Sequence, residues 1–298
     1  MSEAPAQRPA AATDDPASAA EPRLSVVVIT RNEAHNLADC LASVAFADEI
    51  VVLDSGSTDA TLAIAERAGA RAVQGGADWP GFGAQKNRAL ALARGRFVLS
   101  IDADERVSAP LRAEIERLLA SAAARPSEND AVAWRMPRLS SFCGRFMRHG
   151  GWHPDPVLRL FRRGFARFSD DAVHETLLLL PPWNARAAAT GTLRAPLIHF
   201  SYDRLDQVLD KLNRYSSGRA ADLAARGRRG GLWRALAHGG WTFVRLYLLR
   251  LGMLDGSHGF VAALYQAETT YYRYLKLDAR FDRRPDIPAH LRPDGEHR

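Results

Sequence analysis

Residues 99–107, "LSIDADERV", end an apolar run in two aspartates one residue apart, Asp102 and Asp104, with Glu105 beside them. Three adjacent carboxylates repel one another, so their gathering needs either bulk water or a cation. Two readings compete. In one, the segment is a solvated loop whose acids cap a following helix. In the other, carboxylates spaced i, i+2 in a turn reach one hard divalent cation, Mg²⁺ or Mn²⁺, which takes its remaining oxygens from a phosphate-bearing substrate. A metal ion would also offset the clustered negative charge.

Other residues could join such chemistry. Thr30, Arg31, Asn32 and Glu33 follow an apolar run, and Asp54 ends another in "VLDSGSTDAT". There Ser57, Thr58 and Asp59 also suit a helix-capping turn, so capping and ligand binding by Asp54 stand level. "GGWHPDPVLRLFRRG" combines permissive glycines with Trp152, Asp155, Arg159, Arg162 and Arg163. Trp152 could stack on a sugar face, and Arg159 and Arg162 could meet phosphate, while Arg163 reads as a solvated strand residue. His199, in "APLIHF", suits a third metal ligand or a satisfied core histidine, the core reading slightly ahead.

These groups need a scaffold. "RLSVVVIT", "DEIVVLD", "ARAVQ" and "RFVLSID" are short apolar, β-branched runs that read as strands buried on both faces. "NLADCLASV", "DATLAIAERAG" and "GAQKNRALALARG" have helical spacing and lie between them, with Asn36 and Asp59 as expected N-caps and Gly69 and Gly95 as stops. Strand–helix alternation through four repeats predicts an α/β fold around a mainly parallel sheet. Ligands in such sheets bind outside the carboxyl ends of the strands. Residues 30–33, Asp54, Asp102 and Asp104 all fall at those ends, so one rim collects the polar groups. Neither GxGxxG nor GxxxxGK[ST] occurs, which argues against a dinucleotide fold and a P-loop.

Beyond residue 130, "DAVAWRMPRLSSF", "PVLRLFRRG" and "TLRAPLIHFSY" read as further strands. From about residue 203 three long segments, including 231–256, read as helices. The expected organisation is a polar tail over residues 1–22, an α/β domain over 23–202, a helical extension over 203–278 and a polar tail over 279–298. Both tails are expected to be disordered or frayed. Cys40 and Cys143 form no CxxC pair, which excludes a disulfide scaffold and favours a reducing compartment. A net charge of +6 and a pI near 9.7 point to an anionic partner. No h-region precedes the domain and no run of about 18 apolar residues occurs, so a cytoplasmic location is expected.

"SVVVITRNEAHNLADCLASV", "DEIVVLDSGSTDAT", "QKNRALALARGRFVLSIDADE" and "GGWHPDPVLRLFRR…VHE" together resemble family 2 glycosyltransferases of GT-A type. Within these they are closest to the bacterial lipopolysaccharide core β-glucosyltransferase subgroup. The resemblance covers residues 24 to about 200 well and the helical part loosely. It implies a GT-A (Rossmann-like) fold and a UDP-sugar donor, UDP-glucose by subgroup, with a lipid-linked oligosaccharide acceptor. Thr30, Arg31, Asn32 and Glu33 would line the nucleotide pocket and Asp54 would contact the uracil. Asp104 would hold the metal, with Asp102 nearer the ribose, and Lys86, Asn87 and Arg88 would approach the donor. Transfer would be inverting, which needs a single base. Glu175 in "DDAVHETL" sits where the family places that base, with Asp155 as the second candidate and His174 as a positioning group.

Arginine recurs beside Trp233, Trp241, Phe243 and Tyr247 in the helical part. This mixture suits an anionic membrane surface, here the cytoplasmic face of the inner membrane, or else a cap packed on the core or a dimer interface. No nucleic-acid module is present. A non-catalytic nucleotide-sugar-binding scaffold on the same fold remains the alternative. A nucleotidyltransferase ranks below both, because no Gly-rich, basic loop follows the first strand.

Overall fold

The computed structural model describes residues 21–76, 79–123, 125–127, 129–169 and 175–278. His174, residues 1–20 of the N-terminal tail and residues 279–298 lie outside the described residues.

The four apolar runs form β1 (Leu24–Thr30), β2 (Glu49–Asp54), β3 (Arg71–Gln74) and β4 (Phe97–Asp102). The intervening helices are α1 (Ala34–Ser43), α2 (Thr61–Arg67) and α3 (Phe82–Leu92). After β4 come β5 (Glu105–Val107) and α4 (Ala109–Ser121), the latter capped by the Ser108 hydroxyl, which accepts from Leu111 N. The next strands are β6 (Ala133–Phe142), β7 (Arg145–Phe146), β8 (Asp155–Arg162), β9 (Ala166–Phe168), β10 (Leu177–Leu179), β11 (Thr190–Thr192) and β12 (Leu197–Tyr202). Helices α5 (Leu205–Ala225), α6 (Leu232–Val244) and α7 (Gly256–Lys276) follow.

The main sheet runs β3-β2-β1-β4-β8-β6-β12-β5, with β7 and β11 both pairing β6. The β3-β2-β1-β4 half is parallel throughout. Strand β8 enters antiparallel between β4 and β6, and β12 pairs parallel with β6 and antiparallel with β5. This is an α/β fold with a mostly parallel sheet and a helical C-terminal extension. One apolar layer joins Val26, Val28, Phe97, Leu99 and Ile101 of the sheet to Leu37 and Leu41 of α1 and to Ile115 of α4. The other packs Val27, Val51 and Val98 against α3. Burial on both faces explains why these strands read as unbroken apolar runs instead of alternating ones. Cys40 sits in this core, where burial pushes its thiol up to about 12.

Two expectations need correction. Asn36 lies inside α1 and does not cap it: Glu33 occupies the cap position and accepts the Asn36 and Leu37 amides through its carbonyl. The stretch 231–256 is not one helix. Helix α6 ends at Val244 and a wider π turn covers Arg245–Leu249, after which Leu251 takes a left-handed φ of 57°. That reversal lets α7 return along α6, with Gly252 so close to the Leu246 carbonyl that a side chain would not fit.

Candidate functional site

The carboxyl ends of β1, β2 and β4 meet on one rim, and their loops are tied together by polar side chains. Asn32, at φ 57°, receives the Thr58 amide on its carbonyl oxygen at 2.8 Å and donates its own amide to Ser57 Oγ at 2.8 Å. Asp54 is fully buried and accepts from Thr30 Oγ1 (3.0 Å) and from the Gly56 and Ser57 amides (2.9 and 2.8 Å). Its carboxylate therefore shapes the rim loop. Asp59 accepts from Thr61 N and Ala34 N, joining α2 to α1. Arg31 is exposed at the tip.

The three clustered acids have three different environments. Glu105 is wholly buried, accepting from Arg159 at 2.8 Å and from the Asp102 amide at 3.0 Å. Asp102 is one-third exposed, with Lys86 Nζ 2.9 Å from Oδ1 and Arg159 2.5 Å from Oδ2. Burial works against the Asp102 carboxylate, yet the Arg159 and Lys86 charges outweigh it and hold it well below the usual range. Burial likewise opposes the Arg159 charge, but Asp102 and Glu105 overcome it and fix the guanidinium as a cation. Arg159 is thus an internal counter-ion between two acids.

Asp104 differs from both neighbours. Its Oδ1 is buried without any hydrogen-bond partner, and its Oδ2 lies 3.4 Å from His199 Nε2. His199 is held from behind by Ser140 Oγ, 2.9 Å from Nδ1. With Nδ1 held there, Nε2 is the ring nitrogen turned toward Asp104. An unpaired buried carboxylate oxygen costs about 1–3 kcal/mol unless something fills its shell. The donor set fits a divalent ion held by one carboxylate and one imidazole, with phosphate oxygens completing it. Among the described residues no group of three or more His, Cys, Asp or Glu could hold a metal without such help. Asp102, with both oxygens engaged by cations, contributes less to that set than Asp104. Glu33 stands close by: burial raises its pKa, Asn36 opposes that, and the charge of Asp104 adds to the rise.

Lys86 is the hub between β4 and the segment carrying Glu175. Almost wholly buried in α3, it bridges Asp102 and Glu175, the latter at 2.8 Å, with Phe168 packed against it. Helix α3 comes this near because Gly83 lets it approach the backbone at Ser169, where a Cβ would overlap the carbonyl oxygen. Asn87 faces the other way: its amide brackets Phe168 by accepting from N (2.8 Å) and donating to O (3.0 Å). It fastens β9 to α3. Arg88 lies near Gln85 Oε1, at 3.4 Å.

Asp155 is paired with Arg138, at 2.7 and 3.0 Å, and faces a cavity of about 720 Å³ that Trp152 and His199 also line. Trp152 is half-buried, edge-on to Phe142 and Tyr202. Its loop is pinned by Asp255, which accepts the Arg148 and His149 amides at 3.0 and 2.8 Å. Arg162 does not belong to the site. It pairs in register with Phe97, at the opposite end of β4 from Asp102, and its guanidinium covers the Phe97 ring and binds the Ala123 carbonyl. Five residues of strand, about 16 Å, separate it from the rim.

Sequence reasoning overlooked Arg138, because nothing local marks it out, and Lys211 of α5. Burial lowers the Lys211 pKa, while the charge of Asp104 raises it, so this helix reaches the same cluster.

Residues 25–163 match the family model described as "Glycosyl transferase family 2". An uncharacterized glycosyltransferase of Rickettsia felis is 30% identical over 265 residues, covering 86% of this chain and 89% of that protein. The lipopolysaccharide core biosynthesis glycosyltransferase LpsC of Rhizobium meliloti is 31% identical over 266 residues, covering 86% and 92%. Among solved structures, glucosyl-3-phosphoglycerate synthase from Mycobacterium tuberculosis, in complex with Mn²⁺, UDP and glucosyl-3-phosphoglycerate, aligns at 20% identity with a TM-score of 0.43. It covers 71% of this chain and 82% of that one.

Proposed function

The chain belongs to glycosyl transferase family 2 and is a glycosyltransferase, and from that premise we propose an inverting, metal-dependent transfer of a hexose from a UDP-sugar to a lipid-linked saccharide. Glucose is the proposed sugar and lipopolysaccharide inner core the proposed acceptor, a reading supported by the likeness to LpsC. The observation that carries the metal and donor reading is the unpaired, buried Asp104 Oδ1 beside His199. Asp104 and His199 are the proposed holders of Mg²⁺ or Mn²⁺, with Asp102 behind them. Such an ion would neutralise charge developing on the leaving diphosphate.

The chain's own residues supply the rest. Thr30, Arg31, Asn32 and Glu33 form one lip of the proposed nucleotide pocket, whose shape Asp54 maintains from beneath. Lys86 keeps Asp102 and Glu175 in fixed relation and adds positive charge on the donor side. Direct displacement at the anomeric carbon requires a carboxylate to take the acceptor hydroxyl's proton as the new glycosidic bond forms and the bond to the diphosphate breaks. We assign that base to Glu175. Asp155 is a second reading favoured by one observation, its place in the cavity beside His199.

The helical extension is the proposed membrane contact. Trp233 is 81% exposed, and Trp241, Leu249 and Leu254 are also exposed, amid Arg229, Arg234 and Arg250. Arginine beside exposed tryptophan and leucine suits the headgroup level of an anionic bilayer. Among the described residues no helix is long and apolar enough to cross a membrane. The proposed site of action is the cytoplasmic face of the inner membrane, with the protein peripheral.

The test is thermal melting with UDP-sugars, with and without Mn²⁺ or Mg²⁺, on wild type and Asp104→Asn. A donor at 100 times its Kd stabilises by about 2.7 kcal/mol. Metal-dependent stabilisation by UDP-glucose, lost in Asp104→Asn, is expected. Equal stabilisation of both proteins, or none by any UDP-sugar, would sink the metal-dependent reading.

A further inference from the structure

The 720 Å³ cavity lies between the sheet and the helical extension, and its walls are unlike. On the sheet side are Arg138, Asp155 and His199. On the helix side, Arg219 of α5, Arg245 from the turn after α6 and Arg273 of α7 line the same space. Four guanidinium groups thus come together from four separate segments. Among the described residues the one carboxylate lining the space, Asp155, is already engaged by Arg138. Among the described residues neither Arg245 nor Arg273 is paired with a carboxylate, and Arg273 Nε is buried without a hydrogen-bond partner. Arg245 and Arg273, without carboxylate partners among the described residues, mark a place for an anion, and the guanidinium fork matches both carboxylate and phosphate.

The remaining lining narrows the class. Tyr215 and Trp152 offer ring surface, and Thr269 and Gln266 offer hydroxyl and amide groups. Rings with neutral polar groups recognise a saccharide, while the arginines add a demand for charge. We propose that this cleft binds the acceptor sugar through an acidic substituent, a carboxylate or a phosphate, read by Arg245 and Arg273. The assignment rests on the transferase reading above, because His199 joins the two sites: it lines the cleft and lies 3.4 Å from Asp104. An acid held against the helix wall leaves the sugar's hydroxyls directed toward Asp155, His199 and the donor. It also makes the extension part of the acceptor site and not only a surface anchor.

The experiment uses the full chain and three probes, glucose, glucuronate and glucose 6-phosphate, with binding read by saturation-transfer NMR in the presence and absence of UDP and Mn²⁺. Glucuronate or glucose 6-phosphate should bind at least about tenfold more tightly than glucose, given the strength of charge-assisted hydrogen bonds. Which of the two wins identifies the acid. The Arg245→Gln/Arg273→Gln double variant should lose that preference, and Arg245→Lys/Arg273→Lys should keep part of it; unliganded melting temperatures confirm that both fold. Equal binding of all three probes, an unchanged preference in the double Gln variant, or displacement of the anion by UDP would each overturn the proposal. UDP-glucose melting with Mn²⁺, run alongside, separates the two readings. A metal-dependent shift without anion preference removes the cleft assignment alone. Anion preference without that shift removes the donor reading and leaves the cleft as an acidic-saccharide site.

Discussion

Replacing Lys86 by Met tests whether one buried ammonium organises the donor side. Met matches the length of the lysine stem and keeps the contact with Phe168, so the change removes charge with little loss of volume. Nζ lies 2.9 Å from Asp102 and 2.8 Å from Glu175. At an effective dielectric of about 20, each such pair attracts by about 6 kcal/mol before desolvation of the ammonium is subtracted. Removing one partner of a buried pair typically costs about 3–5 kcal/mol. Here Asp102 is one-third exposed and retains Arg159, so water and the guanidinium recover part of the loss. The expected net cost is about 2–3 kcal/mol. Urea denaturation followed by circular dichroism reads this as a lower midpoint at unchanged slope. The cycle with Glu175→Gln should show a coupling of about 1 kcal/mol or more, because that carboxylate loses its cation in Lys86→Met and needs none once neutral. A Lys86→Met midpoint within error of wild type, or additive single and double variants, would refute the hub.

Glu175→Gln should abolish UDP release in the presence of an acceptor, a drop of at least about 10²-fold in kcat, with the Mn²⁺-dependent UDP-glucose shift retained. The same result for Asp155→Asn with an active Glu175→Gln would transfer the base to Asp155. Glu49 predicts acid sensitivity at the far end of the sheet. Burial there opposes the carboxylate charge, but Ser25 and Arg94 prevail and lower its pKa. A depressed native pKa gives stability above the ordinary carboxylate pKa that is lost as pH falls through the native one. Urea midpoints from pH 7 down to pH 3 should therefore fall more steeply in wild type than in Glu49→Gln. Finally, Trp233→Ser/Trp241→Ser should weaken sedimentation with vesicles containing phosphatidylglycerol without lowering the melting temperature, since both rings are more than half exposed. Unchanged sedimentation would return those residues to a packing or assembly role.

The α/β half of this protein was legible in its sequence because local physics is enough there. Strands buried on both faces read as apolar runs, and their carboxyl ends read as abrupt polarity at Thr30, Asp54 and Asp102. Sequence also put Asp102 and Asp104 on the rim and identified a helical extension, because periodicity and strand ends are properties of neighbouring residues. What each acid does was a tertiary matter. Arg159 belongs between Asp102 and Glu105 only because β8 is inserted beside β4, a pairing of segments 57 residues apart in the chain. Arg162, three residues further along the same strand, is carried to the opposite pole. Lys86 and Asn87 are adjacent in α3, yet helical geometry aims one at Asp102 and the other at Phe168. His199 reaches Asp104 because β12 pairs with β5, setting His199 opposite Glu105. The cleft's arginines come from separate segments that no window of sequence contains. Sequence determined which groups this chain carries and which ends of its strands they occupy. Only the folded sheet order decided which charges neutralise one another and which, like Asp104 Oδ1, are left without a hydrogen-bond partner.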